Sequence, residues 1–224
     1  MGPFLRNDYR CLRCHSIPRQ RALLAVLAES FPDWRERRIY EAGGSGPSTD
    51  KLRAECRAYV ASHYLPGRGW GTERDGVRAE DLEALTFADE SFDLVVTQDV
   101  FEHVLRPDRA FAEIVRVLVP GGAHVFSVPL FPHPATVVRA VPSPDGGITH
   151  LLPPDYHKDP VDPAGALVIR EWSLDIADFI HAHGGAVTTI HNRRDRRLGI
   201  DGEHRHILVS RKPQAALSPA DVTT

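Results

Sequence analysis

The apolar residues of this chain change their spacing along its length, and each change marks an element. RQRALLAVLAES (19–30) carries them at helical spacing, with Leu23, Leu24 and Leu27 on one face. RRIYEA (37–42) reads as a first strand and CRAYVASHYL (56–65) as a second, and GVRAEDLEAL (76–85) holds a short third strand and its turn. Between the first two, a helix is predicted to open near Pro47 to Thr49, where proline suits a first turn and Ser48 or Thr49 can cap. SFDLVVTQDV (91–100) is the clearest strand, because its run Phe92 to Val96 suits burial on both faces of a parallel sheet. EHVLRPDRAFAEIVRVL (102–118) reads as a helix with Ala110, Ile114 and Leu118 on its apolar side. Pro120-Gly121-Gly122 is expected to stop it and lead into AHVFSVPL, another buried strand.

Strand, loop and helix thus repeat with short connections, which predicts a doubly wound α/β sheet. From Phe131 to about Glu171 the period is lost among prolines and histidines (FPHP, VPSPDGG, THLLPPDYHKDPVDPAG). A stretch of that length without elements implies a lid or binding loop, or disorder. WSLDIADFIHAHGG then reads as a helix closed by Gly184-Gly185, and AVTTIHN and HRHILVSRK as two last strands. The expected organisation is one domain over 1–212, with an N-terminal cap over 1–36, a lid over 131–171 and a flexible tail over 213–224.

The chain's 224 residues suffice for a sizeable single core. A net charge of -3 and a pI near 6.4 supply no basic field for nucleic acid. No apolar run approaches a membrane span, and MGPFLRNDYRCLRC lacks the apolar centre of a signal peptide. These features give the expectation of a cytoplasmic protein with no membrane partner. The three cysteines, Cys11, Cys14 and Cys56, do not make a disulfide framework. Cys11-x-x-Cys14-His15 suggests zinc, but a structural site needs four ligands, so a degenerate knuckle or plain buried thiols fits better.

The chemistry centres on IYEAGGSGPSTDKL (39–52). Ser45 and Ser48 break a dinucleotide fingerprint counted from Gly43, and the count from Gly44 ends in Thr49. An acid stands two residues before the glycines instead: Glu41-Ala42-Gly43-Gly44-Ser45-Gly46. Glycines allow close backbone approach and Glu41 attracts a cation, which suits a ligand with an ammonium group and no pyrophosphate.

That turn, its spacing, and the run EDLEALTFADESFDLVVTQDVFEHVLRPDRAFAEIVRVLVPGG resemble the class I S-adenosylmethionine-dependent methyltransferases. CLRCHSIPRQR resembles the start of some bacterial members. The resemblance implies a Rossmann-like sheet of seven strands, mostly parallel, with helices on both faces and an antiparallel last strand. It implies S-adenosylmethionine as cofactor, with Glu41, Gly43, Gly44 and Gly46 at its methionine end. Asp81 and Leu82 would read the adenine, and Gln98 and Asp99 would lie where cofactor and acceptor meet. The acid usually found after the second strand is replaced by Ala61-Ser62-His63-Tyr64, so His63 or Ser62 would hold the ribose, less strongly than a carboxylate. Arg19 or Arg21 could close over the cofactor carboxylate.

His103, in Asp99-Val100-Phe101-Glu102-His103, and the lid's His157 are the candidate catalytic groups, as bases near neutral pH. His133 and His150 are weaker alternatives. No metal ligand is assigned. A carboxylate-rich Mg²⁺ site using Asp99 and Glu102 is kept as the lesser reading, against a packing role for His103 and a structural one for Glu102. The expected reaction is methyl transfer to a small-molecule acceptor with an oxygen nucleophile. The rival is a non-catalytic binding or partner protein with a degenerate cofactor site.

Overall fold

A computed structural model describes residues 9–74, 76–158 and 162–214. All but the first two residues of the expected tail lie outside these ranges. In chain order the elements are α1 (Pro18–Ser30), β1 (Arg38–Ala42), α2 (Pro47–Glu55), β2 (Ala58–His63), β3 (Glu73–Arg74), β4 (Val77–Ala79), β5 (Phe92–Gln98), α3 (Pro107–Val117) and β6 (Leu118–Ser127). Six short strands follow: β7 (Val137–Val138), β8 (Ala140–Pro142), β9 (Ile148–His150), β10 (Tyr156–His157), β11 (Ala166–Leu167) and β12 (Arg170–Glu171). The last elements are α4 (Ile176–Gly184), β13 (Val187–Asn192) and β14 (His206–Arg211).

The main sheet runs β13-β14-β6-β5-β1-β2-β4-β3. Strands β4, β2, β1, β5 and β6 pair in parallel, and β14 is antiparallel to both its neighbours. The chain leaves β1 toward β2 and β4, then returns to β5 and β6 on the other side. The strand order therefore reverses at β1 and β5, and ligands of such sheets bind at the carboxyl ends beside that reversal.

Alternation sorts the core onto two faces. Leu94, Val96, Val125 and Val209 pack with Leu23 and Leu27 of α1 and Leu52 of α2. Val95, Phe126 and Leu208 pack with Phe111 and Ile114 of α3 and Ile180 of α4. Side chains on both faces are removed from water, which explains the unbroken apolar run of β5. Each fully buried large side chain contributes roughly 1.5–3 kcal/mol.

The architecture is the expected Rossmann-like α/β one, with differences in detail. An eighth strand, β3, pairs antiparallel with β4 at the edge. Its two residues are both exposed, so no apolar signal announces them. The helix expected from Glu102 begins only at Pro107; Arg106, restricted by the proline after it, has φ -118 and ψ 70. Residues 99–103 form a turn, closed by the His103 amide donating to the Val100 carbonyl at 2.9 Å. Pro120-Gly121-Gly122 does not stop a helix. Leu118 enters β6 directly, and the register jumps from Phe92↔Leu118 to Leu94↔Ala123 as a bulge. A Cβ on Gly122 would lie 2.9 Å from the Asp93 and Val119 carbonyls, so that bulge requires glycine. Ser48 and Thr49 do not cap α2; Gly46 stands at its cap position.

The described residues of 131–171 are not structureless. They fold into three antiparallel pairs, β8 with β9, β10 with β11, and β7 with β12. Strands of two or three residues are too short to show alternation in sequence. No described helix is long and apolar enough to cross a membrane.

Candidate active site

Glu41, at the carboxyl end of β1, is fully buried. Its Oε1 accepts from Thr49 Oγ1 at 3.0 Å and from Gln98 Nε2 at 2.9 Å, and its Oε2 accepts from Tyr59 OH at 2.6 Å. Burial pushes its carboxyl above the ordinary range, and the bonds from Tyr59, Thr49 and Gln98 pull the other way. The carboxylate thus props the glycine turn from below. A Cβ on Gly44 would lie 2.5 Å from the Glu41 carboxyl carbon, and Gly43 and Gly46 have φ +68 and +77. The missing side chains let this backbone lie directly against the acid.

Gln98 is tied at both ends, since its Oε1 also accepts from Ser48 Oγ at 2.9 Å. It clamps the end of β5 to the start of α2. Asp99 follows in the left-handed region at φ +52. Its amide donates to the Ser127 carbonyl at 2.9 Å, and its carboxylate meets Ser127 Oγ at 3.1 Å and Arg19 Nε of α1. A non-glycine residue held there by its neighbours is a frequent feature of functional turns.

His63 ends β2, half-buried, and its carbonyl accepts from the Glu80 amide at 3.1 Å. Ser62 is buried with its hydroxyl 2.7 Å from Tyr40 OH. Asp81 makes a turn of its own, its Oδ1 accepting from the Glu83 amide at 2.9 Å, and Leu82 is buried beside it. The strand ends therefore gather Glu41, His63, Asp81, Gln98 and Asp99 on one rim.

The structure brings the two candidate catalytic histidines together. Their rings lie edge to face with centroids 5.0 Å apart. The carboxylate of Glu102, 2% exposed, sits between them: His103 Nε2 is 3.8 Å and His157 Nδ1 is 3.9 Å from its Oε1. His103 Nδ1 lies 2.9 Å from the Leu167 carbonyl, which can only accept, so Nδ1 carries a proton and Nε2 faces Glu102. Two more bonds fix the end of the proline- and histidine-rich segment, and the residue after it, to the same turn. Trp172 Nε1 donates to the Phe101 carbonyl at 3.0 Å, and the Ile169 amide donates to the Glu102 carbonyl at 2.7 Å.

Other sequence candidates lie apart from this cluster. His133 Nε2 is 3.1 Å from Glu171 Oε2, and His150 is exposed in β9. Arg21 donates to the carbonyls of Ser16, Gly199 and Tyr9, so it ties the N-terminal segment rather than reaching the rim. Cys11 and Cys14 are not buried thiols: Cys14 is exposed, and the Ser16 hydroxyl 3.2 Å away draws its pKa down to about 7. Cys56 is the buried one. Sequence reasoning missed Thr49 and Tyr59 as partners of Glu41. Thr49 stands on the first turn after the glycines, which was a usable signal; Tyr59 shows its role only once β2 lies beside β1.

Residues 43–126 match the family described as Methyltransferase domain. A malonyl-[acyl-carrier protein] O-methyltransferase from Methylococcus capsulatus is 46% identical over 78 residues, 33% of this chain and 28% of that protein. A demethylmenaquinone methyltransferase from Clavibacter sepedonicus is 34% identical over 107 residues, 43% of this chain and 44% of that protein. The chain thus spans less than half the length of these curated relatives. Among solved structures, the amino pentose methyltransferase CalS10 from Micromonospora echinaspora, with S-adenosylmethionine bound, superposes with a TM-score of 0.56 at 16% identity, over 89% of this chain and 94% of the other. A methyltransferase from Mesorhizobium loti gives 0.55 at 19%, over 85% and 98%. Residues 43–126 thus match a methyltransferase domain, and the chain around them has the fold of solved S-adenosylmethionine-dependent methyltransferases.

Proposed function

We propose that the chain binds S-adenosylmethionine on the rim formed by β1, β2, β4 and β5 and methylates a small-molecule acceptor beneath the lid, at an oxygen nucleophile. One observation carries the reading: a buried carboxylate, Glu41, clasped by three donors directly under a glycine turn at the point where the strand order reverses. The residues present fit the cofactor. The turn has no side chain at Gly43, Gly44 or Gly46 to block approach, and an acid beneath it favours an ammonium group. When bound, the cofactor supplies an electrophilic methyl group on a sulfonium sulfur.

The chain's own residues do the remaining work. Glu41 and Gln98 hold the turn rigid, which keeps the donor's position fixed. His63 offers a neutral bond to a ribose hydroxyl, and Asp81 and Leu82 offer an acceptor and an apolar surface for an adenine. The lid excludes water from the space above Asp99. His103 or His157 takes the acceptor's proton, with Glu102 balancing the resulting imidazolium. CalS10, described as an amino pentose methyltransferase, supports the small-molecule part of this reading.

Calorimetric titration with S-adenosylmethionine and its demethylated product tests it. One-to-one binding of both is expected, with transfer to a hydroxylated acceptor in a subsequent screen. Binding without transfer to any acceptor favours the non-catalytic rival. No binding of either ligand removes the cofactor site.

A further inference from the structure

The cluster of Glu102, His103 and His157 has the composition and closeness of a metal site. One donor atom from each lies within 4.8 Å of the others, and Asp99 is not part of the group. We propose that these three residues bind a divalent transition cation of the Zn²⁺ type. This differs both from the absence of metal expected from sequence and from the carboxylate-rich Mg²⁺ alternative. Two imidazoles and one carboxylate suit a borderline cation, whereas Mg²⁺ prefers oxygen ligands.

Three features support the site. Tetrahedral zinc with bonds of about 2.1 Å sets its donors roughly 3.4 Å apart, so rotamer changes that draw the two histidines in from 3.8 and 3.9 Å of Glu102, and from within 4.8 Å of each other, close the cluster. His103 already has the orientation a ligand needs, because its Nδ1–H donates to the Leu167 carbonyl and leaves Nε2 as the donor atom. Glu102 and His103 are adjacent, and their tight turn, unlike a helix, lets both side chains point to one side. His157 arrives from β10, so a bound ion would also pin the lid to the turn after β5.

Three protein ligands leave a coordination position for an oxygen of the acceptor, a hydroxyl or a carbonyl. There the ion lowers the pKa of an acceptor hydroxyl, whose proton leaves to solvent, and the two histidines act as ligands in place of the base role proposed above. That role rests on the proposed function; the binding of the ion does not.

The test uses the full chain, with zinc and with cobalt(II) as a spectroscopic substitute. Equilibrium dialysis should find one zinc per chain that persists in a Cys11→Ser/Cys14→Ser variant. His157→Gln and Glu102→Gln should each weaken it by more than the ~10–100-fold cost of losing an outer-shell partner. Zinc should raise the melting temperature of the wild type and not of His157→Gln. The cobalt spectrum should lack a thiolate charge-transfer band. Binding of S-adenosylmethionine by each variant reports that it is folded and tests the cofactor reading separately. Zinc lost in the cysteine variant but kept in the histidine one, or no zinc in a wild type that still binds S-adenosylmethionine, overturns the proposal.

Discussion

Gly44 shows how a single missing atom group shapes the site. Its hypothetical Cβ would meet the Glu41 carboxyl carbon at 2.5 Å, and Glu41 is held on three sides by Thr49, Tyr59 and Gln98. The acid has no room to retreat. Gly44→Ala is therefore expected to cost about 1–3 kcal/mol, the range for overpacking, and to abolish cofactor binding. Urea unfolding and calorimetry together check this; an alanine variant that binds normally would show the turn to be looser than its geometry. Glu41→Gln separates charge from shape. Burial raises the pKa of this carboxyl, so its ionised form is disfavoured in the native state, and stability is lost as pH rises from the ordinary value of 4.5 to the raised one. The amide removes that cost, and the hydroxyls of Thr49 and Tyr59 can turn to accept from it. The Glu41→Gln variant should therefore melt no lower than wild type at alkaline pH, yet bind S-adenosylmethionine roughly tenfold weaker, equivalent to about 1.4 kcal/mol. Unchanged affinity would mean that Glu41 only supports the turn.

At the scale of elements, the turn after β5 and the lid form one unit. Residues 101, 102 and 103 each hold part of the segment that ends at Trp172, through Trp172, Ile169 and Leu167. Trp172→Phe keeps the aromatic contact with Phe111 and Phe179 but leaves the Phe101 carbonyl without its indole donor. A buried group deprived of a partner costs about 1–3 kcal/mol. The expected result is a lower melting temperature and a fall in turnover exceeding the change in cofactor affinity, measured by steady-state kinetics beside calorimetry. Equal falls in both would place the defect in the sheet and not in the lid. This unit was also the least legible part of the sequence. Long elements with steady periods, such as β5 and α3, could be read because burial repeats along them. The lid strands are two or three residues long, so no period develops. Glu102 and His103 were read as helical because Pro107 lies inside an apolar pattern that continues across it. The meeting of His103 with His157 depends on a 54-residue return of the chain, which no local pattern encodes. Glu41 and its glycines were legible because their chemistry is contiguous.

On the scale of the whole molecule, stability should depend on pH through a residue that takes no part in the proposed chemistry. His124 sits in the centre of β6, completely enclosed, stacked on Phe126 at 4.2 Å, with Nε2 2.9 Å from Thr97 Oγ1. Nothing around it favours a charge, and burial lowers its pKa from 6.5 to about 3. Above pH 6.5 the residue is neutral in both folded and unfolded chains and adds no pH dependence. Below 6.5 the unfolded chain takes up a proton there and the native chain does not, until pH reaches about 3. Over that window the native state loses up to about 1.4 kcal/mol per pH unit. His206, whose pKa burial also lowers, adds a second contribution of the same sign. The comparison to make is between wild type and His124→Gln, by urea unfolding at several pH values from 8 down to about 4. The glutamine can still bond Thr97 but cannot titrate, so its stability should fall less steeply as the medium becomes acidic, whatever its stability at pH 8. Parallel curves would mean that the core admits water or a proton at His124, contrary to its enclosure between Phe126 and Phe101. The carboxylates shared by both proteins cancel in the difference, so the slope belongs to this imidazole alone.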